Sequence, residues 1–145
     1  MPGIRILAHE QRERLGVISF FIEPIHYNLI VKLLNDRYGI QVRGGCACAG
    51  TYGHYLLDVT YEKSHEITER ISSGDLSVKP GWVRLSLHPV MLDEEVRFIA
   101  NALREISENH AEWAKDYRYD KKRNEFIHRS VLTDETEKVK DWFNL

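Results

Sequence analysis

Two cysteines in a glycine-rich loop are the residues of this chain whose types and spacing could do chemistry. Residues 38–53 read YGIQVRGGCACAGTYG, so Cys46 and Cys48 alternate with alanines and follow Arg43 and two glycines. Glycine permits backbone conformations closed to other residues, including close approach to a ligand. Small neighbours leave the sulfur unshielded, and a nearby arginine favours the thiolate, which is the nucleophilic form of cysteine. The segment therefore predicts a reactive thiol loop that needs a partner site.

Two other interpretations of these cysteines stay open. They can be small, half-buried loop residues in a protein that does no sulfur chemistry. They can also be soft metal ligands together with the nearby His54, although a Cys-x-Cys pair without a second ligand pair is a weak indication of a metal site. A hydrogen-bonded structural role is the simpler expectation for His54.

Composition excludes several classes of function. The chain has 145 residues, 43% of them hydrophobic, and a formal net charge of -2, which gives no electrostatic reason to expect binding to nucleic acid or to an anionic membrane. No apolar run reaches the roughly 18 to 20 residues that cross a bilayer. The two cysteines are one residue apart and have no other partner, so we expect free thiols in a reducing cytoplasm.

The elements before the loop predict a small sheet backed by a helix. Residues 4–7 and 16–22 are apolar runs that indicate two neighbouring strands. The second run is apolar on both faces, so we expect it to be central in its sheet. Residues 26–38 predict a helix with Gly39 as its C-terminal cap. Residues 40–43 then read as a short extended piece that leads into the thiol loop.

The elements after the loop predict a further strand between two helices. Ser64 is placed to cap a short helix through residue 71. In the strand at 82–87 (WVRLSL), Arg84 lies on the face opposite the apolar residues. Residues 93–109 predict the longest helix, with an acidic first turn that suits the helix dipole. Its apolar stripe is Val96, Ile99, Ala100, Leu103 and Ile106.

The C-terminal part has a weaker pattern. The charge run at 116–123 is expected to be a solvated face, and Thr133 is placed to cap a last helix with Val139, Trp142 and Phe143 on one side. We therefore divide the chain into a domain at 1–110 and a C-terminal helical extension at 111–145 that docks on it. The predicted fold class is α/β (α+β), with a small antiparallel sheet of three to four strands packed against helices.

The thiol loop and WVRLSL, in this order, resemble the C-terminal small domain of class V aminotransferase-fold enzymes that use pyridoxal phosphate. This group contains the cysteine desulfurases and selenocysteine lyases. The resemblance runs from about residue 4 to about residue 107, and is strongest over VISFFI, LLNDRYGIQVRGGCACAG, KPGWVRLSLHP and DEEVRFIANALREI. It implies a small domain with a few antiparallel strands packed against helices on one side.

The resemblance implies roles for three residues. The family's short catalytic loop, Arg-x-Gly-x-x-Cys-Ala, falls on Arg43, Gly45, Cys48 and Ala49. Cys48 is then the catalytic nucleophile, and Cys46 stands where the family usually has histidine. Arg84 falls on the strand arginine that binds the substrate α-carboxylate, a task that suits a planar guanidinium. Arg43 is a second candidate for substrate binding. The alternative for Arg84 is an exposed ion pair of little energetic value.

The cofactor lysine of the family has no counterpart in this sequence. No lysine of the chain follows a histidine. We therefore expect a fragment of a larger enzyme, inactive alone, whose pyridoxal phosphate lies on a large domain outside this chain. The expected partners are that large domain, an amino-acid substrate (cysteine or selenocysteine) and a second copy in a homodimer. The alternatives are a class V aminotransferase-like or epimerase-like enzyme without sulfur chemistry, and a non-catalytic binding or dimer-contact module.

Overall fold

The core of the molecule is one four-stranded antiparallel sheet. The structure, a computed structural model, describes residues 3–46 and 50–130. The strands are β1 (Ile4–Ile6), β2 (Val17–Ile22), β3 (Arg43–Gly45) and β4 (Trp82–Ser86). Their order in the sheet is β1-β2-β4-β3, so β2 and β4 are the central strands. The predicted fold class, the pairing of the first two strands and the central place of the second are confirmed.

The described residues also form four α-helices. They are α1 (Tyr27–Tyr38), α2 (Gly50–Leu56), α3 (Tyr61–Ser72) and α4 (Asp93–Trp113). His26 caps α1, since its Nδ1 accepts a hydrogen bond from the Asn28 backbone N–H at 3.1 Å. Gly39 ends the helix in the left-handed conformation, with φ 67°, as its sequence position predicts.

Three predicted boundaries are wrong. Thr60, not Ser64, caps α3, because the Thr60 hydroxyl accepts from the Lys63 backbone N–H at 3.4 Å. β3 begins at Arg43, where the predicted extended piece ends. α4 continues to Trp113, and Val96 of its predicted stripe is 38% exposed, so burial on this helix begins about one turn later.

Helices α1 and α4 cover one face of the sheet, which we call the inner face. Along β4, Val83 and Leu85 point into this layer and are 0% and 7% exposed. Phe20 lies directly opposite Val83 on β2. The remaining core side chains come mainly from the two helices: Leu29, Ile30, Leu33 and Leu34 of α1, and Ile99, Ala102, Leu103 and Ile106 of α4.

The charged segment after α4 is a β-hairpin, which corrects the helical extension predicted for these residues. Most charged side chains of the run at 116–123 are exposed, as the predicted solvated face requires. Strands β5 (Tyr117–Asp120) and β6 (Glu125–His128) pair antiparallel. The reason is alternation: Tyr117 and Tyr119 face α1, whereas Arg118 between them is exposed. The helix predicted from Thr133 lies outside the described residues. Within the described ranges, no helix is both long enough and apolar enough to cross a membrane.

Candidate functional site

Two arginines face each other on the second, outer face of the sheet. β3 pairs with β4 in a register that puts Arg43 directly opposite Arg84. On its other side, Arg84 lies opposite Ser19 of β2. Directly paired residues of an antiparallel sheet project from the same face, with Cβ atoms about 4.5 to 5.5 Å apart. The fold therefore brings together the two arginines that the sequence singled out.

Arg84 has a buried polar atom without a partner. Its side chain is half-buried, and its Nε is buried and makes no hydrogen bond within the part of the chain that the structure describes. A buried donor left unsatisfied costs about 1 to 3 kcal/mol. Arg43, opposite, is exposed. Two like charges placed directly opposite each other destabilise a sheet, so this pair favours binding of an anion. A carboxylate matches the donors of a guanidinium with two parallel hydrogen bonds.

Glycines allow the strands at this site to approach α1 closely. A Cβ on Gly81 would lie 2.6 Å from Cε1 of Tyr27 and 2.9 Å from the Gly45 Cα, so a larger residue does not fit. A Cβ on Gly44 would lie 2.9 Å from Cγ2 of Val31. Gly45 has φ +109°, a conformation that side chains rarely adopt. The glycines preceding the thiols therefore fix the position of the loop's base.

The first thiol of the loop follows β3 directly. Cys46 is half-buried and not in a disulfide. Burial raises the pKa of the Tyr27 phenol above its ordinary value, and the charge of the nearby Cys46 raises it further, whereas a hydrogen bond from Asn124 acts in the opposite direction. Cys48, the predicted nucleophile, lies outside the described residues, and so do Ala47 and Ala49.

Helix α2, which follows the loop, covers the end of the outer face at Trp82. A Cβ on Gly53 would lie 3.1 Å from Cζ3 of Trp82, whose exposure is 4%. Trp82 is therefore a packing residue, and one helix lies on the outer side of the sheet. His54 lies on α2, and its Nδ1 is 3.0 Å from the Ser64 hydroxyl. This contact is the structural hydrogen bond expected for His54. Among the described side chains, no group of three or more His, Cys, Asp or Glu is placed to hold a metal.

Two residues near the site were missed from sequence. Tyr27 packs on the glycines, and Asn124 of the β5–β6 turn donates a hydrogen bond from Nδ2 to the Tyr27 hydroxyl at 2.7 Å. The two residues are far apart in sequence. The only local signal is that asparagine tolerates the left-handed backbone that Asn124 adopts, with φ 54°.

Comparison with known proteins identifies the family. The sequence matches the aminotransferase class-V family over residues 1–99, which include the sheet, the paired arginines and the thiol loop. The chain belongs to this family. Class V enzymes are in general dependent on pyridoxal phosphate, which agrees with the resemblance in the sequence. No match was found among curated proteins or among solved structures.

The residues of this class V domain suit an amino-acid carboxylate better than they suit the cofactor. Pyridoxal phosphate is held in enzymes through a Schiff base to a lysine. None of the described lysines lies on the sheet whose strands β3 and β4 carry the paired arginines. These lysines are Lys32, Lys63, Lys79, Lys115, Lys121 and Lys122. The described part of the domain therefore offers an anion site for a substrate, with no lysine on the two strands that form this site.

Proposed function

We propose that this chain is the C-terminal small domain of a class V enzyme that acts as a cysteine desulfurase or selenocysteine lyase. The observation that carries the proposal is the buried Nε of Arg84, which has no partner among the described residues, with Arg43 opposite and Cys46 directly after β3. Family membership supports the enzyme class. In this proposal pyridoxal phosphate is bound by a large domain outside this chain, so the chain alone does not turn over.

Arg84 is the proposed clamp for the substrate α-carboxylate. Its buried Nε gains a hydrogen-bond acceptor when a carboxylate binds, so binding removes an existing penalty. Arg43 lies across the strand pair and adds a second positive charge on the same face. A lysine would not replace Arg84, because an ammonium group lacks the planar fork of donors.

Cys48 is the proposed sulfur acceptor. It follows Arg43 by five residues in the sequence, and five residues of extended chain span at most about 18 Å. The cofactor, when bound, supplies the electron-withdrawing group for this chemistry. The Cys48 thiolate forms a bond to the substrate sulfur while the carbon–sulfur bond of the substrate breaks. The electron pair of that bond stays on the substrate carbon, which is protonated to give alanine, and Cys48 becomes a persulfide.

A non-catalytic contact module is the second candidate, because one observation favours it. Three apolar side chains around the start of α4 are largely exposed: Val90 at 77%, Leu92 at 64% and Phe98 at 50%. Exposed apolar clusters mark interaction surfaces. In our main proposal this surface contacts the large domain or a second copy of a homodimer in the cytoplasm. In the alternative, this contact is the chain's whole function.

Kinetics of the full-length gene product with pyridoxal phosphate and cysteine test the proposal. With dithiothreitol added to reduce the Cys48 persulfide, we expect alanine and sulfide to be released. Cys48→Ser should abolish kcat, and Cys46→Ser should retain it. Arg84→Lys should instead raise KM for cysteine about tenfold or more, the effect of losing one charge-assisted hydrogen bond.

Each alternative predicts a different result. Equal loss in both cysteine variants, or loss in neither, contradicts the assignment of Cys48. A pyridoxal phosphate absorbance band with amino-group transfer and no sulfide release indicates a class V enzyme without sulfur chemistry. Absence of that band from the full-length product favours the contact module.

A further inference from the structure

The β5–β6 hairpin lies beyond residue 99, where the family match ends, yet it contacts Tyr27, whose ring packs on the glycines at the base of the thiol loop. Asn124, at the end of the hairpin turn, makes three hydrogen bonds. Its Nδ2 donates to the Tyr27 hydroxyl at 2.7 Å, and its Oδ1 accepts from the Tyr119 hydroxyl at 2.7 Å. Its backbone carbonyl accepts from Nδ2 of Asn28, the second residue of α1. Both polar atoms of the Asn124 side chain are thus hydrogen-bonded, and its amide connects the hydroxyls of Tyr27 and Tyr119.

Tyr27 transmits this contact to the loop. The position of its ring excludes any side chain at Gly81, and a Cβ on Gly44 would lie 3.1 Å from its Cδ2. Cys46 follows these glycines and is close enough for its charge to raise the pKa of the Tyr27 phenol. Movement of the Tyr27 ring would therefore release the strand from which the loop departs.

The hairpin itself is held firmly against α1. His26 stacks on Tyr27, with ring centroids 4.5 Å apart, and its ring also contacts Tyr119 and Phe126 of the hairpin. At the other end of α1, the Tyr117 hydroxyl donates to Oδ2 of Asp36 at 3.0 Å. The hairpin is thus tied to both ends of the helix, and its Asn124 end is the one next to Gly44 and Gly81.

We propose that Asn124 is a positioning residue that holds the base of the thiol loop, from Gly44 to Cys46, in place through the hydroxyl of Tyr27. The hairpin would then support the site indirectly, through Tyr27, although it lies outside the family match. The role of the loop in sulfur transfer rests on the proposed function. The positioning itself is independent of that function, because it is measured on thiol reactivity without substrate or cofactor.

The test is the pH dependence of alkylation of Cys46 by iodoacetamide in the full chain, followed by mass spectrometry of the cysteine-containing peptide. Asn124→Gly removes the side chain and keeps the positive φ; Tyr27→Phe removes only the hydroxyl. Each should raise the plateau rate of Cys46 alkylation at high pH about fivefold to tenfold. This factor is the increase in the fraction of molecules with an accessible Cys46 that the loss of one buried hydrogen bond should produce. The double variant should show no further increase, because both changes remove the same contact.

Tyr117→Phe is the matched control, since it removes a tyrosine hydrogen bond at the far end of the same hairpin. It should leave the Cys46 rate unchanged even where it lowers the melting temperature as much as Asn124→Gly does. Equal acceleration in the control, unchanged rates in both test variants, or fully additive rates in the double variant would overturn the proposal. None of these results depends on whether the full-length enzyme releases sulfide.

Discussion

The two faces of strand β4 differ in what covers them. Val83 and Leu85 on the inner face are closed over by α1 and α4, and burial of apolar surface accounts fully for their position. On the outer face, Arg84 keeps a buried Nε that has no hydrogen-bond partner among residues 3–46 and 50–130, and Arg43 lies opposite it. The apolar side chains of the inner face are covered by other residues of the chain. On the outer face, the unsatisfied Arg84 Nε lowers stability until an anion binds. The inner face of β4 therefore contributes stability, and the outer face is suited to binding.

The largest effect on stability should come from the inner face. Phe20 is 2% exposed and lies opposite Val83, so Phe20→Ala should lower the free energy of unfolding by about 3 to 5 kcal/mol. Urea denaturation followed by tryptophan fluorescence measures this. Ser86→Ala, at an exposed outer-face position, is the control and should change stability by less than about 0.5 kcal/mol. Similar values for the two variants would remove the distinction between the faces.

A smaller loss should follow from crowding between β3 and α1. Gly44→Ala puts a Cβ 2.9 Å from Cγ2 of Val31, which should cost about 1 to 3 kcal/mol of unfolding free energy. Combining it with Val31→Ala should cost less than the sum of the single variants, because the second change removes an atom of the clash. Strict additivity in the same denaturation experiment would show that β3 and α1 are not in this close contact.

Arg84 should behave in the opposite way to the inner-face residues. Arg84→Met keeps similar bulk and removes the unsatisfied donor, so the free energy of unfolding of this chain should rise by about 1 kcal/mol. The same variant should lose substrate binding in the full-length enzyme. A loss of stability greater than about 1 kcal/mol in the isolated chain would mean that Arg84 is a structural residue.

The smallest effect should be a loss of stability at alkaline pH, through two tyrosines that pack against the helices of the inner face. Burial and the Glu105 carboxylate raise the pKa of Tyr38 to about 12, and burial and Asp36 raise that of Tyr117 to about 12. Unfolded tyrosine titrates near pH 10, so the folded state favours the protonated phenols. Their contribution is complete below about pH 10 and is lost as the pH rises towards 12.

The doubly substituted variant Tyr38→Phe, Tyr117→Phe tests this pH dependence. Its melting temperature should fall less steeply than that of the wild type between about pH 10 and 12. Parallel curves for the two proteins would contradict the assignment of the alkaline effect to these phenols.

Sequence patterns predicted the parts of the site that depend on local order. Strict alternation in WVRLSL placed Arg84 opposite the apolar residues, and an apolar run on both faces placed β2 centrally; the structure agrees with both. Helix α1 was predictable because its apolar spacing and its glycine cap lie within one segment. The pairing of Arg43 with Arg84 is a matter of register between distant strands, and no local pattern encodes it.

The hairpin was hidden by its composition. Lysine, arginine and aspartate fill its turn and its outward positions, so hydropathy suggested a solvated surface. Its burial depends on long-range hydrogen bonds, those of Tyr117 to Asp36 and of Asn124 to Tyr27. Such contacts are tertiary, and single-sequence periodicity carries no information about them. The role of Cys48 likewise rests on the resemblance and on family chemistry.

Tracing of isotopically labelled sulfur tests the central claim most directly. The full-length gene product is incubated with pyridoxal phosphate and cysteine labelled at sulfur, and its thiol peptides are analysed by mass spectrometry without reduction. Our account predicts one labelled sulfur atom on Cys48, none on Cys46, and little labelling of Cys48 in Arg84→Met at low substrate concentration. Label on Cys46 alone, or turnover of cysteine with no label on either thiol, would contradict it.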